Sequence, residues 1–420
     1  MIGRYVDSSY LQGVGLSTIL SSYMFSWTLG AAIGLSSFVG IGFFILIGAF
    51  CIYWTSSQNY FSNLTESIAT HWWIYVLIAI LVGASIFFGD SKDFAWSLFG
   101  VLFILLLPLL DLKEKSRFTL GFAHVAVCGA AFYLALNQDA VTAASAYGDA
   151  SRVGISEDNG AFSLIAYAGA FGLVASFNNA FLGIGNRIVA LLSIIICAMT
   201  IVMAGTRSVY AGVLMALLYI LFSKTGRSAA SAILYTVVAM LIVLLIVMLG
   251  ADLMGDRLAH IQEQIVNGAY TFLQIGGVPV DDSAMGRVYQ RDHALSLFAD
   301  NIVLGAGYKT FWVDCPVLQI FSDMGLFIGA LYVFSVLIYP LYRIALFRNI
   351  TAPSVRLMFI LYIVDIPRLF LHGQPYDWAH FSYVFLPYLI YHQHSYRAVA
   401  SNPSFRASRR QLMPGKTAST

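Results

Sequence analysis

RIVALLSIIICAMTIVMAGTRSVYAGVLMALLYILF, residues 187–222, holds two apolar runs joined by a tight turn at Ala204-Gly205-Thr206-Arg207-Ser208. A helix rises about 1.5 Å per residue and needs about 20 apolar residues to cross the hydrocarbon of a bilayer, so runs of this kind read as membrane spans. Similar runs recur along the 420 residues, of which 59% are hydrophobic and 10% charged, a composition far from that of soluble domains. The expected fold class is therefore all-α: a polytopic membrane helix bundle of about 12 transmembrane helices. The spans expected are 13–33, 36–54, 72–89, 94–110, 118–136, 161–182, 188–204, 208–223, 229–249, 317–340, 357–371 and 378–392. They divide the chain into residues 1–249 with nine spans, a polar loop over 250–316, three further spans over 317–392, and a basic tail over 393–420.

Orientation follows from the retention of Lys and Arg on the cytoplasmic side. An inside amino terminus leaves only eight of the 23 Lys and Arg outside: Lys92, Arg152, Arg207, Arg257, Arg287, Arg291, Lys309 and Arg368. Both termini are then cytoplasmic and the long loop faces outward. The first apolar segment is too long for a removable signal peptide and lacks its cleavage pattern, so it reads as a retained span. Cys51, Cys128 and Cys197 fall inside spans and Cys315 outside, which excludes a disulfide framework. The chain has no phosphate-cradling GxxxxGK[ST] loop, no HExxH and no Cys/His cluster with metal spacing; no metal and no cofactor is expected. There is no nucleic-acid module. The tail from Arg406 to Lys416 is suited to anionic membrane lipids.

The loop from Gly250 to Pro316 is longer than a connection requires, and loops of that length are usually functional or disordered. Its periodic apolar positions argue for order. Asp281-Asp282-Ser283 resembles a helix start, and helical periodicity follows to about Ile302, an amphipathic helix of about 284–302. On a wheel of 100° per residue Val288, Ala294, Leu295, Phe298 and Ile302 form an apolar stripe, while Tyr289, His293, Ser296 and Asp300 lie on the polar side. Arg287 and Arg291 fall inside the stripe. Being i and i+4, they are spaced to grip one diphosphate with forked hydrogen bonds; the plainer reading is anchoring in lipid headgroups.

Arg207 poses the same choice, because a basic residue on the outer side defies the retention rule. It either snorkels to headgroup phosphate or serves an anion site inside the protein. Asp323 lies about two turns into an apolar run, where a carboxylate is costly unless paired or facing a polar cavity. Asp365 and Arg368, at i and i+3, read as an internal ion pair.

The order of these features resembles the O-antigen ligase and Wzy-type O-antigen polymerase superfamily. The shared pattern is a [Thr/Ser]-Arg turn before a span, a long late loop, an Arg-led amphipathic helix ending in GxG, and an acidic-x-Gly-Leu segment in the next span. Here these are Thr206-Arg207, Arg287 through Phe298, Gly305-Ala306-Gly307 and Asp323-Met324-Gly325-Leu326, so the match covers roughly residues 187–340. The resemblance implies a GT-C-like bundle in the bacterial inner membrane and a glycosyltransferase that uses an undecaprenyl-diphosphate-linked glycan. It implies that Arg207 and Arg287 bind the diphosphate; Arg291 is added to them by its i, i+4 spacing from Arg287, and a flippase and a chain-length regulator are candidate partners. Gly305, Gly307, Asp323, Asp365 and Arg368 would support the site.

Ligases of the superfamily carry a histidine motif between the GxG and the next span. Here the interval Tyr308-Lys309-Thr310-Phe311-Trp312-Val313-Asp314-Cys315-Pro316 has no histidine. That departure favours a polymerase of O-antigen, capsule or exopolysaccharide over a ligase to lipid A core. The base that accepts the acceptor proton is then one of His293, His260, Asp314 or His372, in that order. A flippase or a twelve-span transporter is the competing class, against which stand the absence of a repeat between halves and the large outside loop.

Overall fold

The computed structural model describes residues 7–30, 33–55, 64–65, 68–69, 71–90, 93–94, 97–98, 101–102, 105, 110, 116–137, 161–204, 206–223, 266–267, 270, 282–346, 352–371, 373 and 375–376. All regular structure among them is helical. Helix α1 (Ser8–Leu20) runs on through Ser22–Phe25 and a π-turn at Ser26–Gly30, and is followed by α2 (Ser37–Trp54) and α3 (Trp72–Phe88). Then come α4 (Ser116–Leu136), α5 (Ala161–Leu182), α6 (Arg187–Ala204), α7 (Arg207–Phe222) and α8 (Asp282–Asp300). Helix α9 (Pro316–Val333) continues through a π-turn (Phe334–Ile338) into Tyr339–Leu346; α10 (Pro353–Asp365) and the single turn α11 (Arg368–Leu371) follow. The expected spans 229–249 and 378–392, most of 94–110 and the basic tail lie outside the described residues.

Among the described residues four helices are long and apolar enough to cross a membrane: Ser116–Leu136, Ser163–Leu182, Arg187–Ala204 and Pro316–Ala345; Val39–Trp54, Trp72–Phe88 and Ser208–Phe222 are shorter apolar helices. Helix α2 illustrates the solvent they suit. Its buried face carries Ile41, Ile45 and Ile52, and its exposed face carries Phe43, Leu46, Phe50 and Trp54. In water such an exposed face would be costly; against lipid tails it costs nothing. The segment is apolar all round because both of its environments are.

Helix α5 is the hub. It packs against α4, α6, α7 and α10, and its apolar residues are buried on every side. At the α1–α2 crossing Gly15 and Gly48 face one another so closely that a Cβ on either would overlap the other's carbonyl oxygen. Small residues at such crossings let backbones touch, which is how helices associate without a hydrophobic drive.

Two details depart from expectation. The span expected over 357–371 is interrupted: α10 ends at Asp365 and α11 starts at Arg368, because Pro367 has no N–H to continue the helical ladder. Arg356, expected in a cytoplasmic connection, is instead buried in α10, where its Nη2 donates to the Ile220 carbonyl at 2.9 Å and its guanidinium lies over the Phe181 ring. Ile220 is in the last turn of α7, where carbonyls lack helical partners and a cation is favoured.

Candidate active site

Helix α9 is a broken helix. At Gly325 the backbone takes φ 74° and ψ −172°, a combination open almost only to glycine. The break exposes carbonyls that a regular helix would satisfy internally, and the loop before the helix satisfies them. Ala306 N donates to Ser322 O at 2.7 Å, Gly307 N to Asp323 O at 3.0 Å, and Leu326 N, beyond the break, to Ile302 O at 2.8 Å. Irregular backbone at such a site is tolerated where protein groups replace the missing bonds.

The contact admits no side chains. Gly305 has φ 75°, and a Cβ there would overlap Asp323 and Met324 backbone; a Cβ on Gly325 would overlap Val303 O and Gly305 N. The GxG and the acidic-x-Gly-Leu motifs are thus two sides of one joint. Their glycines are needed by each other.

Polar side chains lock the joint. Gln319, fully buried one turn before Asp323, donates from Nε2 to Phe311 O at 2.7 Å and to Asp323 Oδ2 at 2.8 Å, and its Oε1 accepts from Val313 N at 2.8 Å. Asp323 Oδ2 also accepts from Lys309 N at 3.1 Å and from the Tyr376 hydroxyl at 2.9 Å. Lys309 has φ 50°, the one non-glycine residue with positive φ among the described residues. A carboxylate that collects several donors is stable in an otherwise apolar run, which accounts for Asp323 as a keystone of the loop.

The network reaches the first half of the chain. Lys309 Nζ pairs with Asp93, the Tyr308 hydroxyl donates to Asp93 Oδ2 at 3.3 Å and lies 3.0 Å from Ser85 Oγ, and the Tyr308 and Tyr376 rings pack 4.6 Å apart. Burial, with the Asp93 and Asp323 charges adding to it, pushes the Tyr308 phenol well above its ordinary range. It stays a donor at any physiological pH.

Helix α8 occupies the stretch read as amphipathic and packs on α9, with Phe298 edge-on to Phe321 at 5.5 Å. Val288 and Ala294 are buried and Phe298 partly so, but Leu295 and Ile302 are 47% and 49% exposed, so they lie outside the contact stripe. Arg287 and Arg291, read within the stripe, are partly buried, and Gln290 joins them: its Oε1 accepts from Asp314 N at 3.0 Å, which holds this flank of the helix against the loop. Arg287 and Arg291 side chains are each 29% exposed. Arg287 Nε lies 3.8 Å from Asp314 Oδ2, and Arg291 pairs with Asp292 at 2.8 Å.

His293, expected on the solvated side, is half-buried: its ring meets the edge of Phe311 at 4.3 Å and stacks with Tyr289 at 6.0 Å. His260 and His372 lie outside the described residues. Of Arg207 the backbone is described, as the first residue of α7 after the turn residue Thr206.

A continuous line of contacts runs from that helix start to Arg287. Ser208 Oγ accepts from the Tyr167 hydroxyl at 3.1 Å, and the Arg368 guanidinium lies 5.5 Å from the Tyr167 ring centre. Arg368 Nη1 is 3.9 Å from Asp365 Oδ1, both residues being buried. Gly373 sits against Arg368 Nε and donates its N–H to Asp314 Oδ1 at 3.3 Å, and Asp314 leads to Arg287. Cys315 Sγ adds a contact to Leu369 O at 3.7 Å.

Sequence reasoning assigned no role to Gln319, Tyr308, Lys309, Tyr376 or Asp93. Gln319 carried a usable signal, two polar residues one turn apart in an apolar helix. Asp93 is 216 residues from Lys309 in the chain and carried none.

Residues 192–333 match the family described as O-antigen ligase. The interval runs from within α6 to the end of α9, and so contains the Arg207 turn, α8, the Gly305–Gly307 loop and Asp323. No curated protein matches the chain.

Proposed function

We propose that the protein is a polysaccharide polymerase that joins undecaprenyl-diphosphate-linked repeat units on the outer face of the cytoplasmic membrane, a reading supported by the match of residues 192–333 to the O-antigen ligase family. The observation that carries this reading is the inward placement of Arg287 and Arg291 on α8, with Arg287 beside a single carboxylate, Asp314. Two guanidiniums on successive turns match the spacing of a diphosphate, and neither phosphate oxygens nor guanidinium nitrogens need a metal between them. Helix α7 contributes its amino-terminal end at Arg207, where backbone N–H groups and the helix dipole favour an anion.

In the reaction the acceptor hydroxyl oxygen forms a bond to the anomeric carbon of the lipid-linked glycan. The bond from that carbon to the phosphate oxygen breaks, and its electron pair leaves with the diphosphate. The guanidiniums stabilise the charge that grows there. The hydroxyl proton goes to a carboxylate or imidazole within hydrogen-bond reach. Asp314 is better placed for it than His293, because Asp314 adjoins Arg287 whereas the His293 ring packs beside Tyr289 and Phe311 on the other flank of α8.

Polymerase is preferred to ligase because the interval from Tyr308 to Pro316 contains no histidine. The lysine and arginine distribution supports an orientation with both termini in the cytoplasm and α8 outside. The partners proposed with this activity are a flippase that delivers the units and a chain-length regulator.

Arg207→Ala, Arg287→Ala and Arg287→Lys, expressed in place of the native chain, separate the readings on a polysaccharide gel. Loss of transition-state charge stabilisation should slow transfer by about 10²–10³-fold for either Ala variant. A polymerase then leaves single repeat units attached and no long chains. A ligase leaves no attached glycan and polymer on the carrier lipid. Native ladders from both Ala variants would overturn the anion site.

A further inference from the structure

Tyr289 and His293 stand one turn apart on α8 with rings 7° from parallel and centres 6.0 Å apart. Phe311 closes one side of this ledge edge-on, 4.3 Å from His293 and 6.2 Å from Tyr289. Its position is fixed, since Gln319 binds the Phe311 carbonyl and the Val313 N–H. Yet Tyr289 is 64% exposed and the adjacent Trp312 57% exposed. A rigid aromatic surface left open is an unusual use of rings that a helix would otherwise bury.

The loop that holds Phe311 also leads to the charged site. Asp314 follows three residues later and lies against Arg287, so the Cα atoms of Phe311 and Asp314 are at most about 10 Å apart. That is the length of about two sugar rings. On α8 itself the aromatic residues and the arginines lie on opposite flanks, with loop residues 311–314 passing from one to the other.

We infer that Tyr289, His293 and Phe311 form a stacking platform for a pyranose of the lipid-linked glycan, about two sugars away from the bond that is transferred. The inference rests on the proposed function and adds to it the subsite that holds the repeat unit. The C–H face of a pyranose is apolar and packs flat on aromatic rings, while its hydroxyls reach solvent. The diphosphate then sits at Arg287 and the sugar chain runs along residues 314 to 311 to the ledge. His293 in this assignment supplies a ring face rather than a proton acceptor.

The test uses the full chain in lipid nanodiscs and two probes, bare undecaprenyl diphosphate and undecaprenyl diphosphate carrying a trisaccharide. Wild type should bind the trisaccharide probe more tightly than the bare one. Tyr289→Ala and His293→Ala should weaken the trisaccharide probe roughly tenfold, the scale of a lost aromatic contact, and leave the bare probe unchanged. His293→Phe keeps the ring and should retain both trisaccharide binding and long polymer in cells.

Loss of trisaccharide binding in His293→Phe as deep as in His293→Ala would mean that the imidazole and not a ring face is recognised, and would overturn the platform. Equal weakening of both probes, or no weakening, would assign Tyr289 to headgroup anchoring or folding and overturn it also. Equal affinity of wild type for the two probes removes the platform but leaves the diphosphate reading standing. Binding of neither probe removes both.

Discussion

The bundle of α1 to α6 and the joint between α8 and α9 are held together by different physics. In the bundle, helices meet through apolar side chains and bare glycine backbone, as at Gly15 and Gly48. In the joint, a broken helix and a loop exchange backbone hydrogen bonds, and buried side chains such as Gln319 and Asp323 satisfy the remainder. Dispersion contacts are numerous and individually weak, so a bundle tolerates exchange of one apolar residue for another. Buried polar networks fail when a single member is lost. Structural specificity is therefore concentrated in the joint that positions Arg287 and Asp314.

The largest expected effect is therefore at the joint's centre. Gly325→Ala forces a Cβ into Val303 and Gly305 and places alanine at φ 74°, where backbone strain alone costs about 1–3 kcal/mol. Gly83→Ala, in α3 where nothing lies within 4 Å of an added Cβ, is the matched control and should be neutral or slightly stabilising. Thermal unfolding of the two detergent-solubilised variants should show a clear fall in midpoint for Gly325→Ala alone. Equal midpoints would mean that the break in α9 is not a structural requirement.

A smaller and more local effect is expected from Gln319→Leu. It orphans the Val313 N–H and the Phe311 carbonyl, each costing about 1–3 kcal/mol if it remains buried. Hydrogen exchange should accelerate by roughly 10–100-fold over residues 309–315 and stay unchanged over α4 to α6. Acceleration spread evenly through the bundle would show that the joint and the bundle are not separate units after all.

The same contrast explains what could be read from the sequence. Helices α2 to α7 lie where apolar runs were seen, because solvent lipid imposes a simple rule of length and composition on each span. The family pattern was legible too, since glycines and a lone carboxylate in an apolar run stand out. The phase of α8 was only half legible. A wheel weighs every apolar residue alike, and so included Leu295 and Ile302, whereas the actual contact is set by Gln290 and Arg287 reaching for Asp314. The tie from Lys309 to Asp93 was not legible at all, because a pair of opposite charges far apart in the chain is indistinguishable from many others.

That tie gives the smallest expected effect and the finest test of the comparison, since it is the thread between joint and bundle. The Lys309 and Asp93 side chains are 27% and 19% exposed, so the pair is neither fully screened nor fully desolvated, and a coupling of about 1 kcal/mol or less is expected. A double-mutant cycle with Asp93→Asn and Lys309→Met, read by thermal unfolding, measures it. Tyr308 shares the same carboxylate, and its raised phenol keeps the proton well beyond neutrality. A group whose folded pKa is raised contributes stability below its unfolded pKa, near 10 for a phenol, and loses it only as pH climbs through the folded value. The cycle should hence return the same coupling at pH 6 and pH 9. A coupling that collapses between them would mean that the phenol ionises beside Asp93, that the pocket around Tyr308 is wet, and that the joint is tied to the bundle less firmly than its burial indicates.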